Sequence, residues 1–232
     1  VCQLWADAAG VPVDAFSPRG LGVTPAVGGG TAPPGWLGAV VVADRVLVTA
    51  PDEARAAALT RALASAGVAD ADGLLAAVTT RRLHGVEEVL GPAWLSYGVS
   101  STPSRQAAGW APEALDGSRA EDLVDLVEAC SPADAAESAV EALTNVHVVR
   151  DDAGRVVAAA GWEPWTGGVA HTGVLAAPSA RGTGAASAVA AAALEAARRQ
   201  GLLVQWRARP PASRRLARRL GLVEVGWQLS WR

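Results

Sequence analysis

The turn Arg181-Gly182-Thr183-Gly184-Ala185-Ala186 follows a run of strand-forming residues, Val169 to Ala176, and opens an alanine-rich stripe of helical period. A strand that passes through a glycine turn into a helix is an anion site, because free backbone N–H groups converge there at the positive end of the helix dipole. Gly182 and Gly184 let the main chain approach a phosphate with no side chain between, and Arg181 brings a positive charge beside it. Two common nucleotide signatures do not fit this turn. A P-loop requires Gly-Lys-Ser/Thr, and the chain contains no lysine. A dinucleotide fingerprint requires a third glycine or alanine where Ser187 stands, and an acidic residue in the next strand, which has none.

Other chemistries find less support. Cys2 and Cys130 are the only thiols, too few for a disulfide framework and without the paired spacing of a zinc site, so no metal is expected. Eight arginines crowd between Arg198 and Arg219, but only Trp206 interleaves with them as an aromatic. The net charge is -3, and without a stacking platform this stretch reads as a solvated helix face rather than a nucleic-acid surface.

The elements that must position the turn can be read from period and punctuation. Val146 to Val149, Val156 to Trp162 and Val169 to Ala176 are three strand-like runs, the first two joined by the hairpin residues Asp151-Asp152-Ala153-Gly154. Residues 185 to 200 form one helix, Leu202 to Ala208 a strand, Ala212 to Leu220 a short helix stopped by Gly221, and Val223 to Trp231 a last strand. Upstream, Ser118-x-x-Glu121 is a capping box for a helix through Val127, and Ser131 with Pro132 opens a second helix continuing to Leu143.

The amino-terminal part is harder to read. Only Val1 to Ala9 is regular in a proline- and glycine-rich lead-in of thirty-five residues. Trp36 to Val48 then predicts two strands around Asp44-Arg45, and Pro51 the first position of a helix running to Gly67. Asp70 to Val78 and Val86 to Leu90 predict short helices, Gly91-Pro92 punctuates the chain, and Ala93 to Val99 predicts a strand. A boundary near residue 90 follows, with an accessory α/β region over 1–90 and the phosphate-binding domain over 91–232.

Arg181-x-x-Gly184-x-Ala186, with Pro178 before it, resembles the Gln/Arg-x-x-Gly-x-Gly/Ala motif of the GNAT acyltransferases. The likeness continues through Trp206-Arg207-Ala208, through Ser213-x-x-Leu216-x-x-x-Leu220-Gly221-Leu222, and into Glu224-Val225-Gly226-Trp227, and the element order follows the family from Arg119 onward. The resemblance implies an α/β (α+β) fold whose central mixed, mostly antiparallel sheet has a splay between two parallel strands and is flanked by helices, plus the amino-terminal α/β extension. It implies acetyl-CoA as cofactor. Its pantetheine arm would pair with Val174, Leu175 and Ala176, and its pyrophosphate would lie on Arg181, Gly182, Thr183, Gly184, Ala185 and Ala186. The arginines would leave some charge for the adenosine 3'-phosphate.

The implied reaction is acetyl transfer to a primary amine of a small molecule or peptide by direct attack, which needs a base, a polarised carbonyl and a proton donor. His171, on the strand leading to the motif, titrates near neutrality and is one candidate base. Glu163, at the end of the preceding strand between Trp162 and Trp165, is the other. Many family members place a tyrosine where this chain has Ala217, so Ser213 or a water takes the donor role, and Ser213 is counted with the cofactor contacts too. A non-catalytic acyl-CoA-binding module is the alternative implied by Ala217. Trp162, Trp165, Trp206 and Trp227 either wall an acceptor pocket or pack in the core.

All twenty cationic residues are arginine, lysine, isoleucine and methionine are absent, and Asn145 is the only asparagine, a bias of GC-rich, actinobacterial-type coding rather than of function. Half of the residues are apolar, enough for a sizeable core, yet no run approaches the roughly 18 residues of a membrane span. The amino terminus lacks the layout of a secretory signal. A cytoplasmic location is the expectation, with no nucleic-acid or membrane partner, and the first ninety residues are expected either to cover the acceptor cleft as a degenerate half-domain or to form a homodimer contact.

Overall fold

The computed structural model describes residues 1–18, 20–26, 31–98, 109–115 and 121–232. In chain order its elements are α1 (Cys2–Ala9), β1 (Val23–Pro25), β2 (Leu37–Val42), β3 (Arg45–Ala50), α2 (Glu53–Ser65), α3 (Ala71–Thr79), β4 (Val89–Gly98), β5 (Glu113–Ala114), α4 (Val124–Glu128), α5 (Pro132–Ser138), β6 (Asn145–Arg150), β7 (Val156–Trp165), β8 (Val169–Ala176), α6 (Ala185–Arg199), β9 (Leu203–Ala208), α7 (Pro211–Arg219) and β10 (Val223–Trp231). The described chain forms two compact units: Val1–Leu95 with Glu224–Arg232, and Ser96–Val223. The terminal strand therefore belongs almost wholly to the first unit, whereas the sequence reading kept it with the second. Ser118 and Arg119, where the capping box and the family likeness begin, lie outside the described residues.

In the first unit β1 pairs parallel with β3, β3 antiparallel with β2, and β2 antiparallel with β10, from Gly226 opposite Val42 to Trp231 opposite Leu37. Its helices α2 and α3 start on side-chain caps: Asp52 accepts from Arg55 N at 2.7 Å and Asp70 from Gly73 N at 2.8 Å. The cap at Asp52 moves the start of α2 two residues past Pro51. Val86 to Leu90 forms no helix: Val89 and Leu90 already open β4, which runs through Gly91-Pro92 rather than breaking there. Five residues with apolar positions at 86, 89 and 90 are too few to separate a helical turn from the start of a strand. Leu59, Leu63, Leu74, Val78, Trp227 and Leu229 are buried together in this unit's core.

The second unit is built on β5–β9. Strands β5 to β8 form a run of antiparallel pairs, and β8 pairs parallel with β9. One face of this sheet carries Ala158, Ala160, Trp162, Ala170 and Trp206 against Ala185, Ala188, Val189, Ala193, Leu194 and Ala197 of α6. The small alanines let the helix lie close to the strands. The opposite face packs Val146, Val148, Ala159 and Leu175 against Leu126 of α4, Cys130, Val140 and Leu143. The fold class is thus the mixed α+β arrangement that the sequence predicted, with helices on both faces of this sheet.

Two boundaries in this unit differ from expectation for local reasons. α5 ends at Ser138 instead of Leu143, because Ala139 turns left-handed with φ 46°, after which residues 140–142 make a single 3-10 turn. β7 runs to Trp165 through Pro164. β6 begins at Asn145, opposite Trp162, so beyond that point β7 has no strand neighbour on that side among the described residues and the missing proline N–H costs no ladder bond there.

Candidate active site

All eight residues of β8 pair with β7, but only Val169–Thr172 pair with β9, opposite Leu203–Trp206. Past Thr172 the two parallel strands diverge, and the edge of β8 lies open. The direction of its backbone groups follows from one bond: Ala177 N donates to Val157 O at 2.9 Å, so by alternation Leu175 and Gly173 turn their main chain toward β7 while Val174 and Ala176 turn theirs into the splay. Of the three residues expected along this edge, Val174 offers both its N–H and C=O, and Leu175 does not. The Ala176 carbonyl already accepts from Arg181 Nε at 3.4 Å and from the Cys130 thiol at 3.5 Å.

The open edge leads into the glycine turn. Residues 178–180 make a 3-10 turn, Gly182 and Gly184 take φ of 81° and 96°, and Gly184 caps α6 in the left-handed region that glycine enters without strain. The turn is closed from within. Thr183 Oγ1 donates to Ala180 O at 2.8 Å, Thr183 N to the same oxygen at 3.4 Å, and Ala185 N reaches Thr183 Oγ1 at 3.4 Å. Trp110 Nε1 donates to Thr183 O at 3.2 Å, a contact from outside the motif that sequence reasoning missed. Among the described residues, the N–H groups of Gly182, Gly184, Ala186 and Ser187 find no acceptor, and they stand at the head of a 15-residue helix. This is the donor set that a diphosphate needs.

Arg181 stands beside the turn, but its guanidinium is also bound elsewhere. It pairs with Asp134 at 3.0 Å, and Ser131 donates to the same carboxylate at 2.7 Å. Those two contacts hold the Asp134 carboxyl below its usual range. Arg181 thus anchors the start of α5 to the turn as well as lending it charge.

The two candidate bases come together. In the β7/β8 register Glu163 is directly opposite His171, on the same sheet face, with both side chains half-buried. Burial, and then the nearby Arg207 guanidinium, push the His171 imidazole down to about 4, partly opposed by a hydrogen bond with Gln205. Its Nδ1 lies 3.0 Å from Gln205 Oε1, and Gln205 Nε2 donates to the Tyr97 hydroxyl at 2.6 Å. Neither Tyr97 nor Gln205 was among the residues expected at the site, and 108 positions separate them in sequence. The end of β4 beside β9 closes that distance, and the one available signal was a glutamine in the middle of an otherwise buried strand.

Ser213 lies on the first turn of α7, where its hydroxyl accepts from Trp206 Nε1 at 2.9 Å. Ala217 is fully buried in the α6 core, so the position of the family tyrosine is packed here with a methyl group. Trp162 and Trp206 are 2% exposed in the same core and pack there, while Trp227 is buried in the first unit's core and also lines a cavity of that unit with Val41, Trp94 and Gly226. Trp165 stays half-buried at the end of β7. No group of three or more His, Cys, Asp or Glu among the described residues is placed to hold a metal, and no described helix is long and apolar enough to cross a membrane.

No curated protein sequence matches this chain. Among solved structures, a protein assigned to the GNAT family of acetyltransferases from Novosphingobium aromaticivorans matches with a TM-score of 0.50 at 20% identity, over 63% of this chain and 65% of that one. A GCN5-related N-acetyltransferase-like protein from Streptococcus suis (TM-score 0.45, 21% identity, 66% of each chain) and a GCN5-related N-acetyltransferase from Kribbella flavida (0.48, 20%, 67% of this chain and 63% of that one) are also similar. The match spans slightly less than two thirds of the length of these relatives, and at such identities the likeness concerns the fold alone. In sequence, residues 117–222 match the model of the acetyltransferase (GNAT) family.

Proposed function

We propose that the second unit binds an acyl-coenzyme A, acetyl-CoA above all, and transfers its acyl group to a primary amine of a small molecule or peptide. The observation that carries this reading is the set of four unengaged N–H groups on Gly182, Gly184, Ala186 and Ser187, adjoining the open backbone edge at Val174. The turn would take the diphosphate through those donors, with the Ala185 N–H and the Thr183 carbonyl side of the turn held in place by internal bonds and by Trp110. Val174 would pair with the amide groups of the pantetheine arm, with Leu175 and Ala176 continuing the edge toward the turn.

Bound there, the thioester supplies an activated acyl carbon. The amine nitrogen attacks that carbon, the C–S bond breaks, and the amine gives up one proton while the departing thiolate gains one. His171 is neutral at physiological pH, so it can accept the amine proton without first losing its own. Glu163, opposite it, would accept a hydrogen bond from the incoming neutral amine and favour the imidazolium that forms. Ser213 keeps a hydroxyl proton while accepting from Trp206, which makes it the available donor for the thiolate. Mass spectrometry of a broad amine panel with acetyl-CoA tests the reading. Transfer that His171→Asn reduces while CoA binding persists supports it, and tight binding without transfer to any amine would discard it.

One observation favours a second reading, a non-catalytic acyl-CoA-binding module: Ala217 fills the tyrosine position with a fully buried methyl group. The same amine panel separates the two, since a binding module holds the cofactor and turns nothing over.

A further inference from the structure

The side chains behind His171 form a relay that decides which of its nitrogens faces outward. We infer that Gln205 and Tyr97 are positioning residues that hold His171 as the Nδ1–H tautomer, leaving Nε2 as the bare nitrogen that accepts the proton of the acceptor amine. The inference deepens the reading above and rests on it for the identity of His171 as base.

The argument is one of direction. Gln205 is 1% exposed on β9 and Tyr97 is 5% exposed at the end of β4, so neither amide nor phenol can turn to water for a partner. Gln205 Nε2 donates to the phenol oxygen at 2.6 Å, which commits the other end of the amide, Oε1, to the imidazole. An amide oxygen only accepts, so the ring nitrogen 3.0 Å away must carry the proton. The backbone fixes the same geometry. His171 and Gln205 are register partners in the β8/β9 pair, and one residue further on Thr172 Oγ1 donates to the Gln205 carbonyl at 2.8 Å. Gln205 is thus held through its main chain as well as its side chain.

The charged groups around the ring are compatible with a neutral imidazole. Glu163 faces it from β7, Arg207 stands two residues beyond Gln205 on the same face of β9, and Glu137 of α5 is bonded to Arg209 at the end of that strand. Arg207 opposes protonation, and the hydrogen bond with Gln205 partly offsets it. The relay sets the tautomer without adding a charge of its own.

Nitrogen-detected NMR of the histidine side chains tests this in the whole protein, which has only three histidines, with His171→Asn identifying the signal. The expected result is a protonated Nδ1 and a bare Nε2 in the wild type, mixed tautomers in Gln205→Leu, and a His171 midpoint raised by about 1–3 pH units in Gln205→Glu, where a carboxylate replaces the amide. The acid limb of kcat/KM should move with that midpoint in Gln205→Glu, and Tyr97→Phe should lower kcat more than it raises KM. A wild-type His171 with its proton on Nε2 would overturn the inference and leave the base assignment open to electrophilic roles only. If Nδ1–H is found but His171→Asn transfers acetyl as fast as wild type, it is the base assignment that fails, and with it the catalytic purpose of the relay.

Discussion

Gly173→Ala is the substitution whose cost the structure specifies most directly. A Cβ on Gly173 would point to the α4/α5 face of the sheet and overlap the carbonyl oxygen of Ser138, while also approaching Leu143 Cδ1 to 3.2 Å and Ser138 C to 3.3 Å. The overlapped atom is backbone, so no rotamer change relieves it. Ser138 is the last residue of α5, and Ala139 beyond it is already left-handed, so α5 and the following 3-10 turn must shift away from β8 together. Overpacking of this kind costs about 3 kcal/mol. For a chain of this size that lowers the melting temperature by roughly 6–12 °C. Calorimetric melting together with hydrogen exchange at the β7 and β8 amides reads the effect. Gly22→Ala serves as control, since its Cβ would meet nothing within 4 Å and its φ is ordinary, and it should stay within about 0.5 kcal/mol of wild type. Because β8 also carries His171 and the open edge at Val174, Gly173→Ala should weaken CoA binding as well. A Gly173→Ala protein as stable as the control would refute the close approach of α5 to this strand.

Other outcomes follow from the same geometry. The unfolded chain binds a proton on His171 near pH 6.5 but the folded protein only near about 4, so stability is full above pH 6.5 and is lost as pH falls toward 4, by roughly 3 kcal/mol; urea midpoints at pH 7 and pH 4.5 should show a steeper loss in wild type than in His171→Asn. Arg181→Ala should cost at most about 0.5 kcal/mol of stability, as the pair with Asp134 is half-exposed, yet lower CoA affinity about tenfold, whereas Asp134→Ala frees the guanidinium and should preserve or raise that affinity in titration calorimetry. Ser213→Ala leaves Trp206 Nε1 without its acceptor and should destabilise by about 1–2 kcal/mol; if Ser213 also serves the thiolate, kcat falls while KM stays.

The parts of this molecule that obey short-range rules were legible in its residues. β8 and β10 begin and end where period and turn residues place them, and the glycine turn before α6 is a local signal because its φ values demand glycine at 182 and 184. Long-range pairing was not legible. Tyr97 reaches Gln205 only because the end of β4 lies beside β9, more than a hundred residues later in the chain, and no local pattern encodes that neighbour. The engagement of Arg181 by Asp134 was hidden for the same reason, since the first turn of α5 had to be brought to the glycine turn before the pair existed. Glu163 lay within reach: its pairing with His171 follows from the short turn at residues 166–168, although the strand was expected to end at Trp162 and instead runs to Trp165.

The claim on which the account turns is that main-chain amides at the head of α6 grip a diphosphate. Amide NMR during titration with CoA, set against pantetheine lacking the diphosphate, measures it at single residues. The account predicts that the N–H signals of Gly182, Gly184, Ala186 and Ser187 move strongly with CoA, saturate together, and stay in place with pantetheine. Resonances of these four residues that remain still at millimolar CoA would contradict it.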